Sequence, residues 1–119
     1  MKIVTQVLDS TYGQSAVGIH ARMERSSGAD WTKIAEAVTN DEGYIVDWNG
    51  AWPFERGVYR IVFDSDSYFA GLGASTAYPE VVVIFRTSDE SRTFQVRIML
   101  SPYSYSTFFG ILDTRVGTS

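Results

Sequence analysis

Cysteine is missing from this chain of 119 residues, and histidine occurs once, at position 20. Without cysteine there are no disulfides, no thiolate nucleophile and no thiolate metal ligands. That absence fits a reducing compartment, and the expected location is the cytoplasm. A single histidine makes a histidine-based metal cage impossible within one chain, and the acidic pairs Asp64/Asp66 and Asp89/Glu90 read as turn and cap chemistry. No metal and no cofactor are therefore expected. Long apolar runs are also missing. No window approaches the roughly 20 residues of a membrane span, and Met1 to Thr5 lacks the apolar stretch of a signal peptide. Positive charge is sparse: 10 Lys and Arg stand against 14 Asp and Glu, for a net charge of −4. The cations are scattered rather than clustered, which argues against a nucleic-acid surface.

What is present is a normal globular inventory, 45% hydrophobic and 14% aromatic. It suffices for one domain over residues 1–119, with a polar tail after about residue 113. Short β-like runs separated by turn residues dominate. Ile3 to Leu8 ends at the turn cluster Asp9–Gly13. Ala16 to Glu24 alternates, with Val17, Ile19, Ala21 and Met23 on one face and His20 on the other, toward solvent. Trp31 to Val38 fits either a strand or a helix. Val58 to Phe63 alternates again. Asp64 or Asp66 caps a short helix that Gly73 ends. Glu80 to Phe85, Thr93 to Leu100 and Tyr105 to Leu112 complete an all-β sandwich or barrel. Trp31, Trp48 and Trp52 are read as packing or loop anchors.

One strand has an unusual outer face. In "FQVRIML", Phe94, Val96, Ile98 and Leu100 form the core face, and Gln95, Arg97 and Met99 point the other way. The first strand matches it, with Val4, Gln6 and Leu8 opposite Ile3, Thr5 and Val7. Two strands largely apolar on both faces imply a second contact surface, as in a sandwich that pairs with its own copy.

The chain resembles the transthyretin and 5-hydroxyisourate hydrolase family. "TQVLD" (Thr5–Asp9), "TNDEGY" (Thr39–Tyr44), "GVYRIVFD" (Gly57–Asp64), Tyr68–Phe69, "YPEVVVIF" (Tyr78–Phe85) and "LSPYSYST" (Leu100–Thr107) follow that family's order and spacing, out to about Ile111. The resemblance implies a transthyretin-like two-sheet β-sandwich with one short helix. It also implies a homotetramer, a dimer of dimers, with a ligand channel between the dimers. By family position, Gln6, Leu8, Gln95, Arg97, Met99, Ser106 and Phe108 face that channel.

The same resemblance marks four departures. The family's hydrolases use a first-strand histidine, a loop arginine, a second histidine and a C-terminal arginine. Here those positions read Gln6, Tyr44, Gln95 and Phe109, and Arg97 stands where the hydrolases usually have proline. An amide has no accessible proton equilibrium and cannot serve as a general base near neutral pH. Three functions stay open. The first is an enzyme acting on a small heterocyclic or polycyclic metabolite in a biosynthetic or catabolic step. It would promote cyclisation, isomerisation or elimination by positioning, with Gln6, Gln95, Arg97 and Tyr44 as the catalytic set and Leu8, Met99, Ser106, Phe108 and Phe109 enclosing the substrate. The second is a non-catalytic carrier or sensor of a small ligand, as transthyretin is. The third is an inactive partner that stabilises another protein. Ordinary 5-hydroxyisourate hydrolysis ranks below the first two.

Overall fold

A computed structural model describes residues 1–50 and 55–112. Trp52 and the polar tail lie outside the described residues. The elements are β1 (Lys2–Asp9), β2 (Gln14–Ser15), β3 (His20–Ser27), β4 (Asp30–Val38), β5 (Tyr44–Ile45), β6 (Asn49–Gly50), β7 (Gly57–Phe63), α1 (Ser65–Gly71), β8 (Val81–Thr87), β9 (Thr93–Ser101) and β10 (Ser104–Leu112). Two five-stranded sheets form a sandwich. One runs β10-β9-β1-β2 with β5 also paired to β1, and the other runs β6-β4-β3-β7-β8. This is the two-sheet fold with one short helix that the sequence predicts. The ambiguous segment at Trp31 is a strand. It returns along β3 across the two-residue turn Gly28–Ala29, with Ser27 opposite Asp30, and pairing on the sheet outweighs its helical spacing.

The core lies between the sheets. Val7, Phe94, Val96 and Ile98 of the first sheet meet Met23, Tyr59, Ile61 and Phe63 of the second, with Phe69 of α1 closing one end. Alternation in each strand produces this, since residues i and i+2 share a face. Asp64 caps α1 by accepting from the Ser67 N–H at 3.1 Å.

One buried polar contact ties the helix to the first sheet. The Tyr68 hydroxyl donates to Asp9 Oδ2 at 2.8 Å, and Asp9 Oδ1 accepts the Thr11 N–H at 2.9 Å. Asp9 is fully buried. Burial and the neighbouring carboxylate push the Tyr68 phenol well above its ordinary value, so it stays a neutral donor.

On the outer face of the second sheet, the nearly buried Glu24 is bracketed by Arg22 at 3.2 Å and by Arg60. The Arg60 guanidinium lies 4.5 Å from the Trp31 ring centroid. Burial pushes the Glu24 carboxyl up, but the hydrogen bonds from Arg60 and Arg22 outweigh it and hold the group below the ordinary range.

Two outcomes follow from these contacts. Tyr68→Phe strands a buried carboxylate oxygen and should lower the unfolding free energy by about 1–3 kcal/mol in urea titrations. Because the folded pKa of Glu24 is depressed, its contribution is complete above the unfolded value of about 4.3 and is lost as pH falls through the folded value. Between about pH 5 and pH 3, Glu24→Gln should therefore show a shallower loss of melting temperature than the parent chain.

Candidate functional site

The site is built on the outer face of the first sheet, and register decides its composition. β1 and β9 run parallel, with Val4 opposite Gln95, Gln6 opposite Arg97 and Leu8 opposite Met99. β10 runs antiparallel to β9, with Ser106 opposite Met99, Phe108 opposite Arg97 and Gly110 opposite Gln95. β5 sets Tyr44 opposite Gln6, and β2 sets Ser15 opposite Leu8. Residues opposite one another share a face. Tyr44, Gln6, Arg97 and Phe108 therefore form one row across four strands. Ser15, Leu8, Met99 and Ser106 form a second row, and Val4, Gln95 and Gly110 a third. Adjacent strands lie about 4.8 Å apart.

The loop before β5 explains how Tyr44 reaches this row. The Asn40 side chain accepts the N–H groups of Glu42 and Tyr44, both at 2.9 Å. The Val7 N–H donates to the Gly43 carbonyl at 2.8 Å. Gly43 adopts φ +80, and a Cβ there would stand 2.5 Å from the Val7 carbonyl oxygen. Glycine is required on both counts. Thr39 anchors the loop from the other side, donating to the Ala16 carbonyl at 2.7 Å.

Gln6 is half-buried, and its Oε1 is buried without a hydrogen-bond partner. Such an acceptor costs about 1–3 kcal/mol where it stands. Arg97 is exposed and has no ion-pair partner among the described residues. Met99 and Phe108 are exposed at 46% and 59%. The face thus combines neutral amides, one uncompensated cation, a phenol and apolar surface. It can accept and donate hydrogen bonds and hold an anion, but it carries no imidazole. His20 is exposed on the outer face of the other sheet, beside a shallow trough of about 720 Å³ whose walls include Arg22, Lys33, Glu36 and Glu80. Those charges are paired among themselves, Arg22 with Glu80 and Lys33 with Glu36.

Phe109 is a correction to the expected set. It lies opposite Val96 on the inward side of β10, where its ring stacks on Phe94 at 5.3 Å and leans on Phe85 at 5.4 Å. It belongs to an aromatic seam between the sheets, and strict alternation alone forbids Phe108 and Phe109 from sharing a face. Gly110 is the residue that sequence reasoning missed. Its signal was its position two residues beyond Phe108 on the same strand.

The family model described as HIUase/Transthyretin matches residues 3–110. The chain belongs to the HIUase/transthyretin family. Among its curated relatives, a probable 5-hydroxyisourate hydrolase of Caenorhabditis elegans is 34% identical over 109 residues, covering 91% of this chain and 80% of the relative. The 5-hydroxyisourate hydrolase of Mus musculus is 31% identical over 110 residues, covering 91% and 93%. A crystal structure of sea bream transthyretin in complex with thyroxine superposes with a TM-score of 0.87 at 27% identity, covering 96% of this chain and 98% of that one.

One outcome tests the orphan amide directly. Gln6→Leu removes a buried unsatisfied acceptor and should raise the unfolding free energy by about 1 kcal/mol, read by chemical denaturation. A drop of similar size would mean that the amide is paired in solution.

Proposed function

We propose that this member of the HIUase/transthyretin family binds a small heterocyclic or polycyclic metabolite in a channel between subunits of a homotetramer. There it catalyses a cyclisation, isomerisation or elimination by positioning and hydrogen bonding. The observation that carries this reading is the row Tyr44–Gln6–Arg97–Phe108, assembled by register from four strands. By resemblance, family hydrolases hold an imidazole at the positions of Gln6 and Gln95 and a guanidinium at that of Tyr44.

Hydrolysis needs a water activated by a base poised near neutral pH, and such a base contributes about 10²–10⁴-fold. Two amides and a phenol do not supply one, whereas steps that rearrange the substrate internally need no activated water. The amides orient the substrate, Arg97 stabilises a developing enolate or oxyanion, and the Tyr44 hydroxyl donates a proton or a hydrogen bond. Leu8, Met99, Ser106 and Phe108 enclose the apolar body.

A second reading is a carrier without turnover. The transthyretin similar to this chain is described with bound thyroxine, and the orphan Gln6 acceptor serves binding as well as it serves chemistry.

Purified protein should sediment as a tetramer and open hydroxyisourate no faster than buffer. The combined change Gln6→His, Tyr44→Arg and Gln95→His should raise that rate by about 100-fold or more. Efficient cleavage by the unmodified chain would refute the altered chemistry. For any metabolite that binds, loss of turnover with retained binding in Gln95→Ala separates the enzyme from the carrier.

A further inference from the structure

Phe108 does not stand away from its strand. A Cβ built on Gly110 would lie 2.6 Å from Phe108 Cε1, 3.1 Å from Cζ and 3.6 Å from Cδ1. The ring therefore leans along β10 into the space that a side chain at 110 would fill, and only glycine leaves that space open. It is nevertheless 59% exposed. Arg97 lies directly opposite Phe108, and Gln6 lies directly opposite Arg97 on the far side. Two strand spacings, about 10 Å, separate the backbones of Phe108 and Gln6. One substituted ring fills that span once the side chains reach inward from both ends.

We propose that Phe108, laid across Gly110, is an aromatic platform that selects a planar, anionic ligand carrying a ring N–H, with Arg97 holding the negative charge and Gln6 accepting the N–H. The inference rests on the reading of this face as a ligand channel and adds the chemical class of its occupant. Each feature of the class answers one feature of the face. Offset stacking on an aromatic ring favours a flat partner over a puckered one. A guanidinium without an ion-pair partner among the described residues favours a carboxylate or an enolate, which it can grip through two parallel N–H bonds. An amide oxygen with no donor where it rests gains one by turning toward a ligand N–H, and a ligand without that N–H leaves the penalty in place. In the trough beside His20 on the other sheet, by contrast, the arginine and the lysine are already paired with carboxylates.

Four small probes separate the three features. Orotate is planar, anionic and bears ring N–H groups. Benzoate lacks the N–H, uracil lacks the charge, and dihydroorotate lacks full planarity. Calorimetric titration of the assembled protein at pH 7 should find orotate bound about tenfold or more tightly than each of the others. Gly110→Ala, which drives the ring off its resting place, should erase the preference over dihydroorotate. Phe108→Leu should do the same, and it keeps the test valid if Gly110→Ala fails to assemble. Phe108→Tyr should retain the preference. Arg97→Gln should erase the preference over uracil, and Gln6→Leu the preference over benzoate. Equal affinity for all four probes, or a planarity preference untouched by Gly110→Ala and Phe108→Leu, overturns the platform. A tetramer that binds the probes without discrimination defeats this inference alone. A monomer that binds none of them defeats the channel as well.

Discussion

The parallel pairing of β1 with β9 is the constraint on which the rest of the structure depends. It joins the beginning of the chain to a strand about ninety residues later, with Gln6 beside Arg97. Parallel neighbours need a long crossover between them, and here the whole second sheet, the helix and the short strands β2 and β5 lie within that connection. The same register sends Thr5, Val7, Val96 and Ile98 inward and Gln6, Leu8, Arg97 and Met99 outward. A slip of one residue would exchange the two sets and destroy core and site together. The hydrophobic demand of the inner face is what holds the polar groups of the outer face in register.

Around that seam, local devices hold the remaining parts of the site. The Asn40 side chain and Gly43 shape the loop that lays Tyr44 beside Gln6. Asp9 and Tyr68 pin the far end of β1 to the helix. Phe109, facing inward, anchors β10 against Phe94 and Phe85 and so fixes Phe108 outward. An inward packing residue and an outward, exposed one thus sit side by side on one strand, each holding the other's direction. What the candidate site lacks in titrating bases it has in unmet pairing: among the described residues, an acceptor without a donor and a cation without an anion. A buried polar group is tolerated only when its partner arrives from somewhere.

Most strands were legible because their alternation was clean and their ends carried turn residues. Thr93 to Leu100 is such a case, and so is the helix between Asp64 and Gly73. The segment at Trp31 was not, since its apolar spacing suits a helix or a strand equally, and only the hairpin with β3 decides between them. Ala16 to Glu24 alternates from its start, yet the strand begins only at His20. The residues before it follow the loop at Thr39, where the Ile19 N–H meets the Thr39 hydroxyl at 2.9 Å. Glu24 ends an alternating run in sequence, and only the paired sheet shows that Arg22 and Arg60 bracket it. The motif position of Phe109 suggests a ligand contact, but alternation along β10 turns its ring inward onto Phe94 and Phe85.

By itself the sequence determined the all-β pattern, the absence of thiol chemistry, the two-faced character of the first and penultimate strands, and the family. These depend on residue type and short-range period, which are local properties of the chain. Only the tertiary structure decided that Tyr44, Gln6, Arg97 and Phe108 stand in a single row, that Phe109 turns inward, and that the Phe108 ring rests across Gly110. Those facts depend on register between strands distant in the chain and on the space left between side chains. Neither quantity exists until the sheets are paired.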